Sequence, residues 1–131
     1  MIAVIFEVEP SADGMDTYLD HAARLKPLLA EADGFISIER FQSLVNPKKL
    51  VSLSFWRDEE AVRAWREHAE HRNTQRVGRE GVFDDYRLRV ANVVRDYGLY
   101  ERDQAPPFHA PVARKRERKH ESCPIAPPGE F

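Results

Sequence analysis

The chain has 131 residues, with 20 Lys and Arg against 22 Asp and Glu, a net charge of −2, and 42% hydrophobic residues. That length is about one domain and is enough to bury a core without disulfide staples. The near-neutral balance gives no general attraction to nucleic acid or anionic membranes, and the single cysteine, Cys123, excludes an intrachain disulfide and a Cys-based zinc site.

A reducing, cytoplasmic compartment fits that cysteine usage. No apolar run approaches the roughly 20 residues that span a bilayer, and Met1–Pro10 lacks the basic region of a signal peptide. The charge is uneven. From Arg102 onward there are six basic and four acidic residues, which leaves 14 and 18 in Met1–Glu101, or −4.

Ile2–Val8 reads as a strand, with Ile2, Val4, Phe6 and Val8 alternating onto one face before Pro10. Ser11–Gly14 is a turn. Met15, Tyr18, Leu19, Ala22, Leu25, Leu28, Leu29 and Ala32 then recur at helical steps. Pro27 lies inside that helix and should kink or divide it, and Asp33-Gly34 should stop it. Phe35–Leu44 is the second strand, Asn46-Pro47 a turn, and Leu50–Trp56 the third strand, where Ser52 and Ser54 alternate with Val51, Leu53 and Phe55.

Asp58 is placed to cap a second helix, with Glu59 and Glu60 at its positive end. That helix presents Val62, Trp65 and Ala69 on one face. His71–Gly81 is polar and reads as a helical turn with a loop. Tyr86–Tyr100 is the last strand, with Leu88 and Val90 on one side and Arg87, Arg89 and Arg95 on the other.

The order β-α-β-β-α-β predicts an α+β, ferredoxin-like antiparallel sheet with both helices on one face. Phe35, Phe41, Val51, Leu53, Phe55 and Val93 put apolar residues on both faces of that sheet. An uncovered apolar face implies a partner, and a second copy of the chain is the simplest one. The domain is expected to cover residues 1–102. Residues 103–131, with six of the nine prolines and the run Arg114-Lys115-Arg116-Glu117-Arg118-Lys119, read as a basic, Pro-rich, extended tail. Such a tail could instead tether an acidic partner or nucleic acid, or pack on its own dimer.

The densest cluster of chemical groups is Trp65-Arg66-Glu67-His68-Ala69-Glu70-His71-Arg72. His68 and His71 share a helical face, yet no third ligand stands at a familiar spacing, so no metal site is assigned. Trp65 is either core or one wall of a pocket in which its ring stacks on a flat ligand. Arg87 and Arg89 either stabilise developing negative charge or pair with Glu7, Glu9 or Glu39 across the sheet. No phosphate loop, nucleophile elbow or dinucleotide fingerprint is present, so no cofactor is assigned.

Several segments together resemble the antibiotic biosynthesis monooxygenase (ABM) domain family. They are Gly34-Phe35 leading to Glu39-Arg40-Phe41, Leu53-Ser54-Phe55-Trp56 leading to Asp58-Glu59-Glu60-Ala61, and then Ala64-Trp65-Arg66 and His71-Arg72. Gln75, Gly78-Arg79, Asp85-Tyr86-Arg87-Leu88-Arg89-Val90 and Arg95-Asp96-Tyr97-Gly98 continue the resemblance. It implies ferredoxin-like subunits paired into a dimeric α/β barrel. Some members oxidise aromatic polyketides with O₂ and no cofactor, and others degrade haem. Trp65 matches the pocket tryptophan of the cofactor-free members. His71 stands where their tyrosine would be, Ala61 where their asparagine would be, and Arg87 or Arg89 where their arginine would be. Gln75 stands where the haem-degrading members have a histidine ligand, and Ile2–Glu9 holds no asparagine.

The expected function is a cofactor-independent monooxygenase acting on a small aromatic or enolisable substrate. His71 would be the base, Arg87 or Arg89 would steady the oxyanion, and Trp65, His68, Phe55 and Gln75 would lie against the substrate. The alternatives are a non-catalytic homodimer that binds a small hydrophobic molecule and a haem-binding or haem-degrading protein. The expected partners are a second copy and a small hydrophobic or aromatic molecule, with no nucleic acid and no membrane.

Overall fold

A computed structural model describes residues 1–68 and 81–107. It divides into two compact units, Met1–Val93 and Val94–Phe131. Residues 94–102, read from sequence as part of the domain, therefore belong to the second unit. The first unit contains β1 (Ile2–Pro10), α1 (Met15–Ala30), β2 (Phe35–Gln42), β3 (Leu50–Trp56), a helix α2 over residues 59–68, and β4 (Phe83–Asn92). The strands form one antiparallel sheet in the order β2-β3-β1-β4. This is the ferredoxin-like arrangement that the sequence predicts.

The register sorts every strand residue onto one face or the other, because side chains alternate along a strand. Ile2, Val4, Phe6 and Val8 of β1 stand opposite Trp56, Ser54, Ser52 and Leu50 of β3. On the other side they meet Asn92, Val90, Leu88 and Tyr86 of β4. This face carries the helices. Leu29 of α1 and Ala61 and Val62 of α2 pack with Trp56 in one cluster. Tyr18 of α1 packs with Val8, Leu50 and Val82 in another. Val8 is 1% exposed and Trp56 2%. Each such side chain contributes about 1.5–3 kcal/mol by leaving water.

Trp56 is held by more than burial. Its indole N–H donates to the Ser54 hydroxyl at 2.9 Å, and Phe35 meets it edge-on at 5.4 Å between ring centres. Phe35 is thus on the helix side and not, as its place in the sequence suggests, on the open face. A shift of register between Phe35 and Ser37 turns it inward. Gly34, at φ +85°, makes the preceding turn and lies so close to Ala61 that a Cβ there would come within 2.5 Å of the alanine's own.

Three element boundaries differ from the sequence expectation. The helix α1 runs through Pro27 undivided. Pro27 is exposed, and the position costs α1 one backbone hydrogen bond while the buried stripe of Tyr18, Ala22 and Leu29 stays in register. The second strand stops at Gln42 because Ser43 turns the chain, its hydroxyl accepting from the backbone N–H of Val45 and Asn46. The last strand is Phe83–Asn92, not Tyr86–Tyr100. Its partner runs out at that point: Asn92 pairs with Ile2, and Val93 N–H reaches Met1 O in the last bond of the ladder. Asp58 caps α2 as expected, its carboxylate accepting from Ala61 N–H at 2.9 Å.

Among the described residues no helix packs on the second face of the sheet. Glu7 sits there between Lys49 at 3.1 Å and Arg89 at 2.9 Å. The hydrogen bond and charge of Lys49, joined by Arg89, hold the Glu7 carboxyl below the usual carboxylate range. A carboxylate whose pKa is lowered by folding stabilises the fold above its unfolded value, and that contribution disappears as pH falls through the folded one. The group is exposed, so the effect is small and screened by salt. The urea midpoint should fall as pH drops from 5 toward 3, and Glu7→Gln should fall less. An identical acid slope in both proteins would remove Glu7 from the acid response.

Candidate functional site

The first unit contains a cavity of about 320 Å³ between the sheet and its helices. It exists because of β3. Ser52 and Ser54 are buried and point at the helices, where the other inward positions of β3 carry Leu50 and Trp56. Two hydroxymethyl groups at the centre of the layer leave space that Leu or Phe would fill. Val4, Phe6, Leu88 and Val90 complete the apolar floor, and Ala22, Leu25 and Leu29 of α1 form the roof. Trp56 and Trp65 stand at one end with their rings 6.3 Å apart. A cavity of this size, apolar with a few converging polar groups, is the form that small-molecule sites take.

The polar groups come mainly from α1 and β2. Tyr18 and His21 line the cavity from α1, and Arg40 from β2. The Arg40 Nε–H donates to the Tyr18 hydroxyl at 3.3 Å, and the guanidinium lies 5.8 Å from the centre of the Tyr18 ring. Lys26 and Arg66 also reach the lining. No Asp or Glu does.

The residues singled out from sequence separate. Trp65 lines the cavity and is half-buried. His68 is exposed, stacks 5.8 Å from the Trp65 ring, and borders a shallow groove between the ends of α1 and α2 instead. Phe55, Arg87 and Arg89 alternate onto the face without helices and are absent from the cavity. Arg89 is engaged with Glu7 there, the cross-strand pairing that was its alternative reading. The reason is parity. Leu88 and Val90 point at the helices, so the odd-numbered neighbours on β4 cannot. His71 and Gln75 lie outside the described residues. Among the described residues no group of three His, Cys, Asp or Glu could hold a metal ion, and no helix is long and apolar enough to cross a membrane.

Tyr18, His21 and Arg40 were not singled out from sequence. The signal for Arg40 was its parity with Ile38: both fall on the strand face that meets Ser52 and Ser54. A cation on an inward-facing position signals a site more strongly than one on an outward face. His21 sits at the margin of the α1 apolar stripe, where spacing alone does not distinguish a cavity wall from a solvated edge. Ser52 is the most direct handle on the cavity. Ser52→Leu should fill it and weaken binding of an apolar fluorescent probe at least tenfold, with circular dichroism unchanged. Unaltered probe binding would place the ligand site elsewhere.

A family model described as antibiotic biosynthesis monooxygenase matches residues 1–77. The jasmonate monooxygenase ABM of Pyricularia oryzae is 50% identical over 93 residues, 71% of this chain and 43% of that protein, so the chain spans less than half of that relative. The YqjZ protein of Bacillus subtilis is 33% identical over 94 residues, 71% of this chain and 79% of that protein. Among solved structures, Rv0793 from Mycobacterium tuberculosis aligns with a TM-score of 0.65 at 18% identity, covering 74% of this chain and 98% of that one. At that identity the likeness is one of fold. The matched region holds β1, α1, β2, β3 and α2, the elements that build most of the cavity, and the chain belongs to the antibiotic biosynthesis monooxygenase family.

Proposed function

We propose that this protein is a monooxygenase that oxidises a small apolar, enolisable substrate with O₂ inside the helix–sheet cavity. The observation that carries the reading is an apolar cavity that holds an imidazole, a phenol and a guanidinium, in a member of this family. The chemistry needs no external electron donor. A base removes a proton from a methylene group activated by a neighbouring carbonyl or phenol. The carbanion passes electrons to O₂, one oxygen atom becomes the new carbonyl, and the other leaves as water with both methylene hydrogens. The base must have a pKa near the working pH, which favours histidine.

His21 lines the cavity and is the base best supported by position. His71, the base expected from sequence, remains the alternative. Trp65 would stack on a flat substrate. The oxyanion formed on proton removal needs a donor, and the cations that line the cavity are Lys26, Arg40 and Arg66, not Arg87 or Arg89. A jasmonate, an apolar cyclopentanone with a carboxylate side chain, has an acidic methylene beside its ketone and joins anthrones and hydroquinones as a test substrate.

The test is oxygen uptake by the purified full chain, freed of metal, with jasmonic acid, an anthrone and a hydroquinone. Uptake that requires both protein and substrate is expected. His21→Ala should lower it at least tenfold. If only His71→Ala does so, the base is His71. No uptake with any of the three would favour a second reading, a dimer that binds such molecules without oxidising them. One observation favours that alternative. Ala61 stands where the resemblance calls for a catalytic asparagine, and it is buried and absent from the cavity lining.

The reading includes a homodimer. Ile5, Val51, Leu53 and Phe55 form a contiguous apolar patch on the face without helices, with Phe41 exposed at its edge. A patch of this kind is ordinarily covered, and a two-fold partner offers the same patch in return. Light scattering should give twice the chain mass, and Leu53→Lys should give the mass of one chain with its secondary structure retained. A monomeric wild-type protein at micromolar concentration would refute the dimer.

A further inference from the structure

Among the described residues the lining of the cavity includes His21, Lys26, Arg40 and Arg66 and no carboxylate. Three other arginines of the unit are paired with carboxylates. Arg24 pairs with Asp20, Arg57 with Asp33 and Asp58, and Arg89 with Glu7, each at 3.2 Å or less. Among the described residues Arg40 has no carboxylate within 4 Å. Its polar partner is the Tyr18 hydroxyl, which takes the Nε–H and keeps its own proton to donate.

Two features follow from that geometry. The two terminal nitrogens of Arg40 remain as a planar fork, and the Tyr18 O–H adds a third donor beside it. A fork of parallel N–H groups matches two oxygens held in one plane. Arg40 is itself exposed and borders the apolar lining of the cavity, where a carboxylate would meet its fork as a charge-assisted pair. A phosphate would need donors for further oxygens, and the cavity has neither a glycine-rich loop nor a cluster of backbone N–H groups to supply them.

We propose that the ligand of this cavity is an amphipathic carboxylic acid, its carboxylate held by the Arg40 fork and the Tyr18 hydroxyl and its apolar body lying over Ser52 and Ser54 toward Trp56 and Trp65. This deepens the reading above, since it takes the same cavity as the substrate site. Tyr18 has a double role. It is a core residue packed with Val8 and Leu50, and its hydroxyl fixes the arginine. Arg40 is in turn the specificity residue, because it separates an acid from a neutral molecule of the same shape.

The experiment compares jasmonic acid with its methyl ester, which keeps the body and removes the charge. Binding is read from quenching of the tryptophan fluorescence of the full chain at pH 7.5, with no turnover required. The acid should bind at least tenfold more tightly than the ester. Arg40→Met should bring the acid to within threefold of the ester, and Arg40→Lys should restore part of the preference. A pH series on the unaltered protein gives a second test that no folding defect can obscure. The acid's affinity should fall as pH drops through the pKa of the free acid, and the ester's should stay flat over that range. Equal affinities, a preference for the ester, or binding of neither molecule would overturn the proposal. Acid preference without oxygen uptake would keep the carboxylate site and remove the oxygenase. Oxygen uptake with a neutral anthrone and no acid preference would do the reverse.

Discussion

The register of β3 governs the rest of the molecule. It is paired on both sides, to β1 and β2, so its alternation is fixed by two ladders at once. That alternation sends Leu50, Ser52, Ser54 and Trp56 toward the helices and Val51, Leu53 and Phe55 away from them. A slip by one residue would exchange the two sets. The cavity would then be filled by Leu53 and Phe55, and the serines would lie on the open face. One strand's phase decides whether the unit has a cavity and whether its other face is apolar.

The same phase distributes the charges. Outward positions on β1 and β4 bring Glu7, Arg87 and Arg89 together on one face, and Lys49 joins from the end of the β2–β3 turn. Glu7 is paired with both Lys49 and Arg89 at the edge of an apolar patch. Inward positions bring a single strand cation, Arg40, onto the cavity side opposite Ser52. Tyr18 meets it from α1. An arginine whose polar partner is neutral can still take an anion, and one already beside a carboxylate gains little from a second.

The fold was legible in the sequence for reasons that trace to particular residues. Ile2, Val4, Phe6 and Val8 alternate cleanly, α1 carries a regular apolar stripe, and Asp58 with Glu59 and Glu60 marks a helix start. The site was less legible. Trp65 was found because an aromatic residue on an apolar helix face is conspicuous. Arg87 and Arg89 were conspicuous too, but their role depends on which face they share, and this follows from the pairing of Leu88 with Phe6 and of Val90 with Val4. Their own spacing is the same in either case. Pairing is long-range information, and local alternation does not contain its absolute phase. Ser52 and Ser54 show the same ambiguity. Two serines alternating with Val, Leu and Phe ordinarily mark a solvent face, and here they mark the interior.

The two faces of the sheet are joined through a backbone only one residue thick. Ser52 and Ser54 floor the cavity, and Val51, Leu53 and Phe55 on the same seven residues form the centre of the open face. Under-filled layers are weak points, because the atoms around a cavity lack some of the contacts that a filled core would provide. A second layer packed on Val51, Leu53 and Phe55 would hold the strand flat from behind, where the cavity cannot support it from the front. The apolar patch and the cavity are then two requirements of one design. A strand that gives up packing on its inner face to make room for a ligand would recover it if its outer face were buried against a partner.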